Sequence, residues 1–559
     1  MPRMDVEPET PPDQRATDKE IVSSVRPVQS SGGWLSGMLM MSGMTILSRI
    51  LGLVRDIAMA RLFGLSPVMD AFTIAFRIPN LSRKLFGEGA LATSFIPIFA
   101  RELIADDRTM AWRLASAVLS WLTVFLSAGV LAGELGLLAW ACWDGVSHDT
   151  LELIQLTAIM LPYMILICLA SQVSAILNSL GHFRWPATVP VVLNLVWLIG
   201  VWWITPWFKD TATKAQALAI CILVSGVLQL LVQWPSLRNI GFRFYWDWQP
   251  VKPQVREIQA AMLPVVLGLS ITQINTFCDS LIAWAFSHPS GDPSATMLLP
   301  GSPTYPLSAG AVSALYYGER MYQFPLGVFG VALGTAIFPM LARHAARGEM
   351  DLLKQDLSLG LRLVIVIGLP ASAALIWLAH PVARCLFERG EFTPADTIRT
   401  AQIIASYGSG VWAYCGLLIL QRGCYAMGDR LSPLRLGTIS VAVNLALNLT
   451  LIWYFAECGL ALSTSVCAML QVAGLLWMIQ QRLGQLDWRR LGSCVGRTVL
   501  ATVFMSAVGL ALIALGQQTG WWSGKLLGLA IPCLGASAAY LLAAWCLKLD
   551  ELRVLLRLR

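Results

Sequence analysis

The chain has 559 residues, of which 56% are hydrophobic and 13% are charged, and its formal net charge is +7. Soluble globular proteins carry about 25% charged residues, so this composition excludes a soluble globular protein. It indicates an all-α polytopic membrane protein. The positive charge lies mostly in short connections between apolar runs, where it reports orientation in the membrane and not nucleic-acid binding.

The first 33 residues are polar and rich in proline, serine and acidic residues. They lack the apolar core and the cleavage site of a signal peptide. We therefore interpret residues 1–33 as a disordered tail that stays in the cytoplasm.

From Trp34 onward, about fourteen apolar stretches are long enough to cross a hydrocarbon core of ~30 Å. We predict spans at 34–62, 68–102, 110–143, 151–181, 185–207, 213–235, 255–287, 307–345, 355–381, 397–427, 433–456, 459–481, 492–516 and 525–547. The connections after the even-numbered spans are rich in arginine and lysine, whereas residues 144–150 and 288–306 contain neither. Because basic connections stay in the cytoplasm, this alternation predicts that both termini are cytoplasmic.

An internal repeat divides the chain into two halves. Residues 90–101 return as residues 332–343 with six identical positions and no gap. The repeat predicts two pseudo-symmetric six-helix bundles of the same orientation, as in transporters built from parallel repeats. We expect an N-terminal lobe at 34–235 (spans 1–6), a cytoplasmic interfacial linker at 236–256, a C-terminal lobe at 257–483 (spans 7–12), and two extra helices with a cytoplasmic C-terminus at 484–559. An ordinary loop is the alternative interpretation of the linker.

Spans 1, 2 and 8 carry charged residues at membrane depth, where each charge costs roughly 2.5–3.5 kcal/mol. The candidate substrate-binding bases are Arg49, Arg55, Arg83, Lys84 and Arg320. The candidate supporting residues, which would hold the arginines and offset their charge in the empty site, are Ser48, Asp56, Asp70, Glu88 and Glu319. Guanidinium groups bind phosphate at two points, so a cavity with these bases suits a phosphate-bearing substrate. Buried ion pairs between helices are the alternative, but bases outnumber acids and an unmatched buried base is costly.

Four motifs resemble those of a known family: SRILGLVRD at 48–56, DAF at 70–72, RIPNLSRKLFGEGA at 77–90 and ERMYQFPLGVFGVALGT at 319–335. They resemble the MurJ (MviN) lipid II flippases of the multidrug/oligosaccharidyl-lipid/polysaccharide exporter superfamily. The resemblance extends over residues 34–548. It implies fourteen helices, two lobes around a central cationic cavity, and a groove for the lipid tail at spans 13 and 14.

The resemblance also implies functional positions. Those that match the family are Ser48, Arg49, Arg55, Asp56, Asp70, Arg83, Glu88 and Arg320. Two positions depart from the family pattern, because Lys84 stands where an arginine is common and Glu319 where an aspartate is common. Lys84 keeps the charge but gives up the two-point grip on phosphate.

A second polar cluster lies in the other lobe. Asp279 is in span 7, Asn444 and Asn448 are one turn apart in span 11, and Thr464 is in span 12. Some members of the family have a sodium site here, so the resemblance implies Na⁺ ligands at these four residues and at the Leu460 carbonyl. Asn448 stands where an aspartate ligand is found, which leaves one negative charge fewer. Hydrogen bonding between helices by Asn and Thr is the alternative interpretation.

Enzyme motifs are absent from the sequence. There is no P-loop and no HExxH motif, and the five histidines do not cluster. We therefore expect a transporter without catalytic chemistry and without a cofactor, apart from Na⁺ as a coupling ion.

We predict that the chain flips lipid II, the undecaprenyl-diphosphate-linked peptidoglycan precursor, across the bacterial inner membrane by alternating access. Its expected partners are lipid II, membrane lipids and cell-wall synthesis proteins, and we expect a monomer that binds no nucleic acid. A flippase for another undecaprenyl-linked glycan would share the basic cavity, whereas a cation-coupled drug exporter should have an apolar or acidic one. A non-transporting scaffold would tolerate alanine at Arg55 and Arg320.

Overall fold

The computed structural model describes residues 33–104, 108–289, 296–297, 304–520, 522 and 524–552. Within these residues the chain is almost entirely helical, and extended pairing is confined to two isolated β-bridges, Ser287 with Leu307 and Thr296 with Thr304. Apart from Gly33, the predicted tail lies outside the described residues, as do the last seven residues of the predicted C-terminal segment.

The helices follow the predicted spans in order, and several spans are made of two or three consecutive helical pieces. Their bounds are Gly33–Phe63 (span 1); Pro67–Ser82, Arg83–Gly87 and Ala90–Ile104 (span 2); Arg108–Ala141 (span 3); His148–Met160 and Tyr163–Ser179 (span 4); Arg184–Ile199, Gly200–Ile204 and Thr205–Trp207 (span 5); Thr211–Asn239 (span 6); Lys252–Ala285 (span 7); Ala311–Pro325, Leu326–Gly330 and Val331–Ala346 (span 8); Met350–Trp377 (span 9); Pro394–Gly408 and Val411–Ala426 (span 10); Leu431–Phe455 (span 11); Glu457–Leu483 (span 12); Trp488–Thr519 (span 13); and Lys525–Cys546 (span 14). Two further short helices are Gln249–Val251, in the predicted linker, and Ala379–Leu386, which begins within the last residues of predicted span 9 and continues beyond it.

Twelve helical segments of the described chain are long and apolar enough to cross a membrane, and they correspond to spans 3 to 14. Spans 1 and 2 are the two that hold most of the candidate charged residues. With them, the order of helices confirms the all-α architecture of about fourteen spans that the sequence predicts.

The internal repeat is visible in the helices themselves. Span 2 contains a π-helical turn at Arg83–Gly87, and span 8 contains one at Leu326–Gly330, close to the equivalent place in the repeat. Pro79 precedes the first turn and Pro325 precedes the second. A proline removes a backbone hydrogen-bond donor, so both spans are irregular near their charged residues. π-Helical turns are frequent at functional sites.

The apolar core shows how the two lobes meet. One continuous core joins spans 1–6 to the C-terminal lobe at the predicted periplasmic end, where it includes Leu315, Phe387 and Leu460. The opposite end of the C-terminal lobe has a separate core that includes Leu357 and Leu475. Apolar burial therefore holds the lobes together at the predicted periplasmic end, which positions the charged residues in the space towards the other end.

The predicted linker is an ordered segment that folds against span 3. The ring of Phe242 lies edge-on to Trp112 with the centroids 5.4 Å apart, and the backbone N–H of Tyr245 donates to Ser116 Oγ at 3.1 Å. Trp246 is 82% exposed beside it. An exposed indole is stabilised at a membrane surface, and the interfacial position of this segment stays a prediction from the sequence.

Candidate functional site

A buried guanidinium group lies where span 1 meets spans 5 and 8. Arg55 donates to Asp56 Oδ1 from Nε (3.1 Å) and from Nη2 (2.8 Å), and from Nη1 to Asn194 Oδ1 (3.1 Å). Its Nη2 also donates to Tyr316 Oη at 3.3 Å, and its plane lies over the ring of Trp197, 4.4 Å from the centroid. Arg55 is only 6% exposed.

Span 8 brings a second guanidinium group to the same carboxylate. Tyr316 and Arg320 are one turn apart, so both side chains point from one face of the helix. Tyr316 Oη donates to Asp56 Oδ1 at 2.9 Å, Arg320 Nη2 donates to Tyr316 Oη at 3.0 Å, and Arg320 Nε lies 3.3 Å from Asp56 Oδ2. The Arg320 side chain is 35% exposed, and its Nη1 donates to Gln323 Oε1 at 3.3 Å.

These contacts separate the roles of the two arginines. An arginine has five N–H donors, and the contacts of Arg55 occupy about four of them. The predicted role of Arg55 as a direct phosphate ligand therefore does not fit its geometry in this conformation. Arg55 instead holds Asp56 in place, and Asp56 in turn orients Arg320.

An inter-lobe ion pair that the sequence prediction missed lies beside this cluster. Arg77 Nη2 is 3.0 Å from Glu319 Oε2, and Arg77 Nη1 donates to the Thr276 carbonyl at 2.8 Å. The Nε2 of Gln323 donates to Glu319 Oε1 at 2.8 Å. Arg77 and Glu319 are 242 positions apart, which is also the offset of the repeat. Residues at equivalent positions of two repeats can meet only close to the axis that relates the repeats. A separation equal to the repeat offset is therefore the sequence signal that could have identified this pair.

The remaining bases of span 2 differ in their partners. Arg83 donates to Asn80 Oδ1 from Nε (3.1 Å) and Nη2 (2.8 Å), and it forms an ion pair with Glu88. Lys84 is exposed and donates from Nζ to the neutral side chain of Gln273, at 3.0 Å. The positive charge of Arg83 is therefore balanced by an acidic side chain. The neutral partner of Lys84 does not balance the charge of the lysine.

Arg49 lies at the opposite edge of the inter-lobe space. It is exposed, and its guanidinium group lies against Gly327 in the π-helical turn of span 8, where a Cβ atom would come within 2.8 Å of Nη1. The neighbouring residue Ser48 accepts from Asn194 Nδ2 at its carbonyl (3.1 Å) and at Oγ (3.4 Å). Arg49 thus extends from span 1 to span 8, and a side chain at position 327 would displace its guanidinium end.

The described residues of this region carry more positive than negative side chains. The bases are Arg49, Arg55, Arg77, Arg83, Lys84 and Arg320, and the acids beside them are Asp56, Glu88 and Glu319. Among the bases, Arg49, Lys84 and Arg320 present exposed surface to the inter-lobe space. Unmatched bases are expensive in hydrocarbon, so this arrangement suits a hydrated space that an anion enters.

Asp70 is not part of this cluster, and the prediction that it holds the arginines is wrong. Its carboxylate accepts from the backbone N–H of Gly310 (2.9 Å) and from the N–H and hydroxyl of Ser313 (both 2.7 Å). Those N–H groups begin the first helix of span 8, where they have no partner within the helix. Asp70 belongs to span 2, so this contact joins the two lobes at the predicted periplasmic end.

A second contact closes the same end. The backbone N–H of Glu391 donates to the Arg61 carbonyl at 3.0 Å, and Gly390 approaches that carbonyl in a left-handed conformation with φ of 61°. A Cβ atom at Gly390 would lie 2.4 Å from the carbonyl oxygen. The Asp70 and Glu391 contacts together form what we call the periplasmic latch.

The predicted sodium ligands converge only in part. Asn448 Nδ2 donates to Asp279 Oδ1 at 2.6 Å, and the amides of Asn444 and Asn448 are 3.1 Å apart. Ser463, which the sequence prediction missed, lies 3.2 Å from Asn444 and donates to Asn448 Oδ1.

The other two predicted ligands lie next to this group. The Leu460 carbonyl oxygen lies 2.8 Å from Ser463 Oγ and accepts from Thr464 Oγ1 at 3.1 Å. The Thr464 hydroxyl is therefore turned towards its own helix. Spans 7, 11 and 12 thus bring one carboxylate, two amides, a hydroxyl and a carbonyl into a single polar cluster.

Comparison with known proteins gives a consistent result. Residues 59–530 match the family described as "Lipid II flippase MurJ". The chain is 33% identical over 453 residues to a "Probable lipid II flippase MurJ" of Vibrio cholerae, an alignment that covers 78% of this chain and 81% of that protein. It is 32% identical over 443 residues to a "Lipid II flippase MurJ" of Burkholderia cenocepacia, with 78% and 81% covered.

Solved structures show a similar fold. A lipid II flippase MurJ in an inward closed conformation superposes with a TM-score of 0.73 at 24% identity, covering 92% of this chain and 100% of that one. An inward-facing MATE-family multidrug resistance transporter superposes with a TM-score of 0.62 at 15% identity, covering 80% and 98%. At these identities, the two likenesses concern the fold alone.

Proposed function

Because the chain belongs to the MurJ family, we propose that it moves lipid II from the cytoplasmic to the periplasmic leaflet of a bacterial inner membrane. The family consists of transporters and not enzymes, and the chain is a multi-pass membrane protein. In this proposal the substrate changes leaflet without a change in its covalent bonds. Both termini face the cytoplasm, as the basic even-numbered connections predict.

The observation that carries the proposal is the surplus of bases between the lobes. Arg49 and Lys84 come from the N-terminal half and are exposed, and Arg320 comes from the C-terminal half and is half-buried. A diphosphate matches them because charge-assisted hydrogen bonds to phosphate are among the strongest that proteins form. A cation-coupled drug exporter would need the opposite charge, and no described contact favours that alternative.

The closed latch gives the direction of entry. Asp70 is bound to Gly310 and Ser313 at the predicted periplasmic end, and this contact supports entry of the head group from the cytoplasmic side. Binding of the diphosphate offsets the repulsion among the exposed bases, which allows the lobes to approach at that side. The lobes then separate at the latch, and the head group leaves towards the periplasm.

The prenyl tail stays in lipid while the head group crosses. Spans 13 and 14 lie outside the repeat and pack against span 9, and Tyr540 Oη donates to the Val366 carbonyl at 2.5 Å. Their outward surface is apolar, with Leu534 71% and Leu541 53% exposed. We assign the tail to this surface, which a hydrocarbon chain can follow without loss of hydrogen bonds.

Resetting the empty carrier requires a driving force. The polar cluster of Asp279, Asn444, Asn448 and Ser463 offers oxygen atoms and one carboxylate, the donor set that hard cations prefer. A sodium ion held there would couple its gradient to the return step, with the membrane potential as a second contribution. If this is so, Na⁺ raises the unfolding temperature above its value in K⁺, and Asp279→Asn removes the difference.

The flippase proposal is tested in cells depleted of the protein. The measured quantity is the appearance of labelled lipid II in the periplasmic leaflet after expression of a variant. Wild type restores it, and Arg320→Ala and Lys84→Ala reduce it at least tenfold, because each removes a charge-assisted contact with phosphate that contributes about 1.5–3 kcal/mol.

The matched control is Arg490→Ala. Arg490 is 75% exposed and pairs with Asp487 at the start of span 13, outside the inter-lobe space. This variant should restore transport fully. Full restoration by Arg320→Ala and Lys84→Ala as well would contradict the assigned role of the exposed bases and favour a non-transporting scaffold.

A further inference from the structure

One peptide group of the periplasmic latch, between Ala309 and Gly310, is held from both sides. Its N–H, which belongs to Gly310, donates to Asp70 Oδ2 at 2.9 Å, and its carbonyl, which belongs to Ala309, accepts from Arg399 Nη1 at 2.7 Å. The peptide is trans, so its N–H and carbonyl point in opposite directions. Asp70 of the N-terminal lobe and Arg399 of the C-terminal lobe therefore lie on opposite edges of the same peptide group.

The guanidinium group of Arg399 is engaged on each of its edges. Besides the Ala309 carbonyl, Nη2 donates to the Ser308 carbonyl at 2.9 Å and Nε donates to Glu457 Oε1 at 2.9 Å. Nη2 also forms an ion pair with Glu457, which is only 7% exposed at the start of span 12. A buried carboxylate and two carbonyls fix the orientation of the planar guanidinium group, and a lysine could not reach all three.

The backbone before span 8 is pressed against the N-terminal lobe at this point. Gly310 has a φ of 86°, and a Cβ atom there would lie 2.6 Å from the Leu65 carbonyl oxygen, in the connection between spans 1 and 2. Because a peptide group is planar, a rotation that moves the carbonyl also moves the N–H. The contact that holds the Ala309 carbonyl therefore also sets the direction in which the N–H meets Asp70.

The position of Arg399 is set by the start of span 10. The Thr393 hydroxyl accepts from the Asp396 N–H at 3.2 Å, and Asp396 Oδ2 accepts from the Thr393 N–H at 2.9 Å. This capping box fixes the first turn of the helix that carries Arg399. Glu391, two residues before the cap, makes the other contact of the periplasmic latch. The start of span 10 thus supplies one latch contact directly and supports the other through Arg399.

We propose that Arg399 is a positioning residue for the periplasmic latch, where it orients the 309–310 peptide and strengthens the hydrogen bond from its N–H to Asp70. A cation at the carbonyl and an anion at the N–H polarise a peptide in the same sense, and hydrogen bonds in such a chain strengthen one another. The described hydrogen-bond partners of Arg399 all belong to the C-terminal lobe, yet its loss should separate the lobes. The inference concerns the protein without substrate, so a failure of the proposed lipid II transport would leave it standing.

A double-mutant cycle with Asp70 tests the proposal on full-length protein in nanodiscs. Spin labels at Asp144 and Gln518, both exposed, report the separation of the N-terminal lobe from span 13 after the three exposed cysteines are replaced by serine. Arg399→Gln should raise the ratio of open to closed molecules about threefold or more, as expected for groups in one hydrogen-bond network. In an Asp70→Ala background, where the contact that it supports is gone, the same substitution should change the ratio by less than about twofold.

Two further variants define the outcomes. Arg384→Gln is the matched control, because Arg384 also donates to a backbone carbonyl (Trp522, 3.0 Å) and pairs with a glutamate (Glu388, 3.7 Å), and it should leave the ratio unchanged. Arg399→Lys keeps the charge beside Glu457, should shift the ratio less than Arg399→Gln, and carries the test if Arg399→Gln does not fold.

Three results would overturn the proposal. The first is an equal shift by the Arg399 variants with and without Asp70, which would show that they act elsewhere. The second is an equal shift by Arg384→Gln, which would show a general loosening of the lobe. The third is a lower unfolding temperature with an unchanged ratio of open to closed molecules, which would make Arg399 purely structural.

Discussion

The periplasmic latch gives a quantitative prediction about the conformational equilibrium. Asp70 accepts three hydrogen bonds from span 8, at 2.9, 2.7 and 2.7 Å, with one carboxylate oxygen bound to Gly310 and the other to Ser313. Asp70→Asn replaces one of these oxygens by an amide nitrogen that cannot accept, and it removes the negative charge. At least one charge-assisted contact between the lobes is therefore lost.

The expected size of the effect follows from this count. A hydrogen bond to a charged group contributes about 1.5–3 kcal/mol, and 1.4 kcal/mol is a factor of ten in an equilibrium constant. Asp70→Asn should shift the equilibrium from the closed towards the open periplasmic end by roughly 10- to 100-fold. A population of open molecules that is small in wild type then becomes directly measurable.

The shift can be measured as a distance distribution in nanodiscs. Spin labels at Asp144 and Ala395, both exposed and in predicted periplasmic connections of opposite lobes, report the separation after the three exposed cysteines are replaced by serine. The control is Ser66→Ala, because Ser66 Oγ accepts from the Met69 N–H at 3.3 Å and caps span 2 within its own lobe. An unchanged distribution in Asp70→Asn, or an equal shift in Ser66→Ala, would refute the latch.

Three further predictions concern other contacts. Arg55→Lys keeps the charge but loses one of the two hydrogen bonds to the Asp56 carboxylate, so the free energy of unfolding should fall by about 1.5–3 kcal/mol. Thermal unfolding measures the change, and an unchanged unfolding temperature would contradict the importance of this contact. Gly327→Ala places a methyl group 2.8 Å from Arg49 and should weaken undecaprenyl diphosphate binding severalfold, unlike Gly334→Ala, whose nearest neighbour is at 3.8 Å. Burial alone would raise the pKa of Asp429, in the connection after span 10, but its hydrogen bonds and a nearby arginine outweigh burial and lower it. Its contribution to stability is therefore present above pH ~4 and lost on further acidification, so Asp429→Asn should flatten the fall in unfolding temperature below that pH.

The architecture was largely predictable because it depends on one-dimensional patterns. Apolar runs of sufficient length define spans 3 to 14, and the repeat at 90–101 and 332–343 divides them. The charged residues of spans 1 and 2 were also identifiable, since charge at membrane depth is rare. None of these inferences requires knowledge of which side chains meet.

Apart from the Arg77–Glu319 pair, which the repeat offset could have indicated, the details of the site depend on packing between distant spans. Asp70 looks like one more charge in a charged segment, and only the position of the first turn of span 8 makes it an inter-lobe cap. Arg55 and Arg320 are chemically alike, but Arg55 is buried against Trp197 whereas Arg320 is only half-buried. Nothing in the sequence distinguishes Ser463 from other serines, and only the packing of spans 7, 11 and 12 brings it into the polar cluster.

The pairing of Arg77 with Glu319 has a consequence for how such a molecule can be assembled. Two copies of the N-terminal half would set arginine against arginine across the axis, and two copies of the C-terminal half would set glutamate against glutamate. Like charges brought together in this way cost several kcal/mol. Because the equivalent positions carry opposite charges, each half pairs favourably only with the other half. A single continuous polypeptide ensures that the two different halves are always paired.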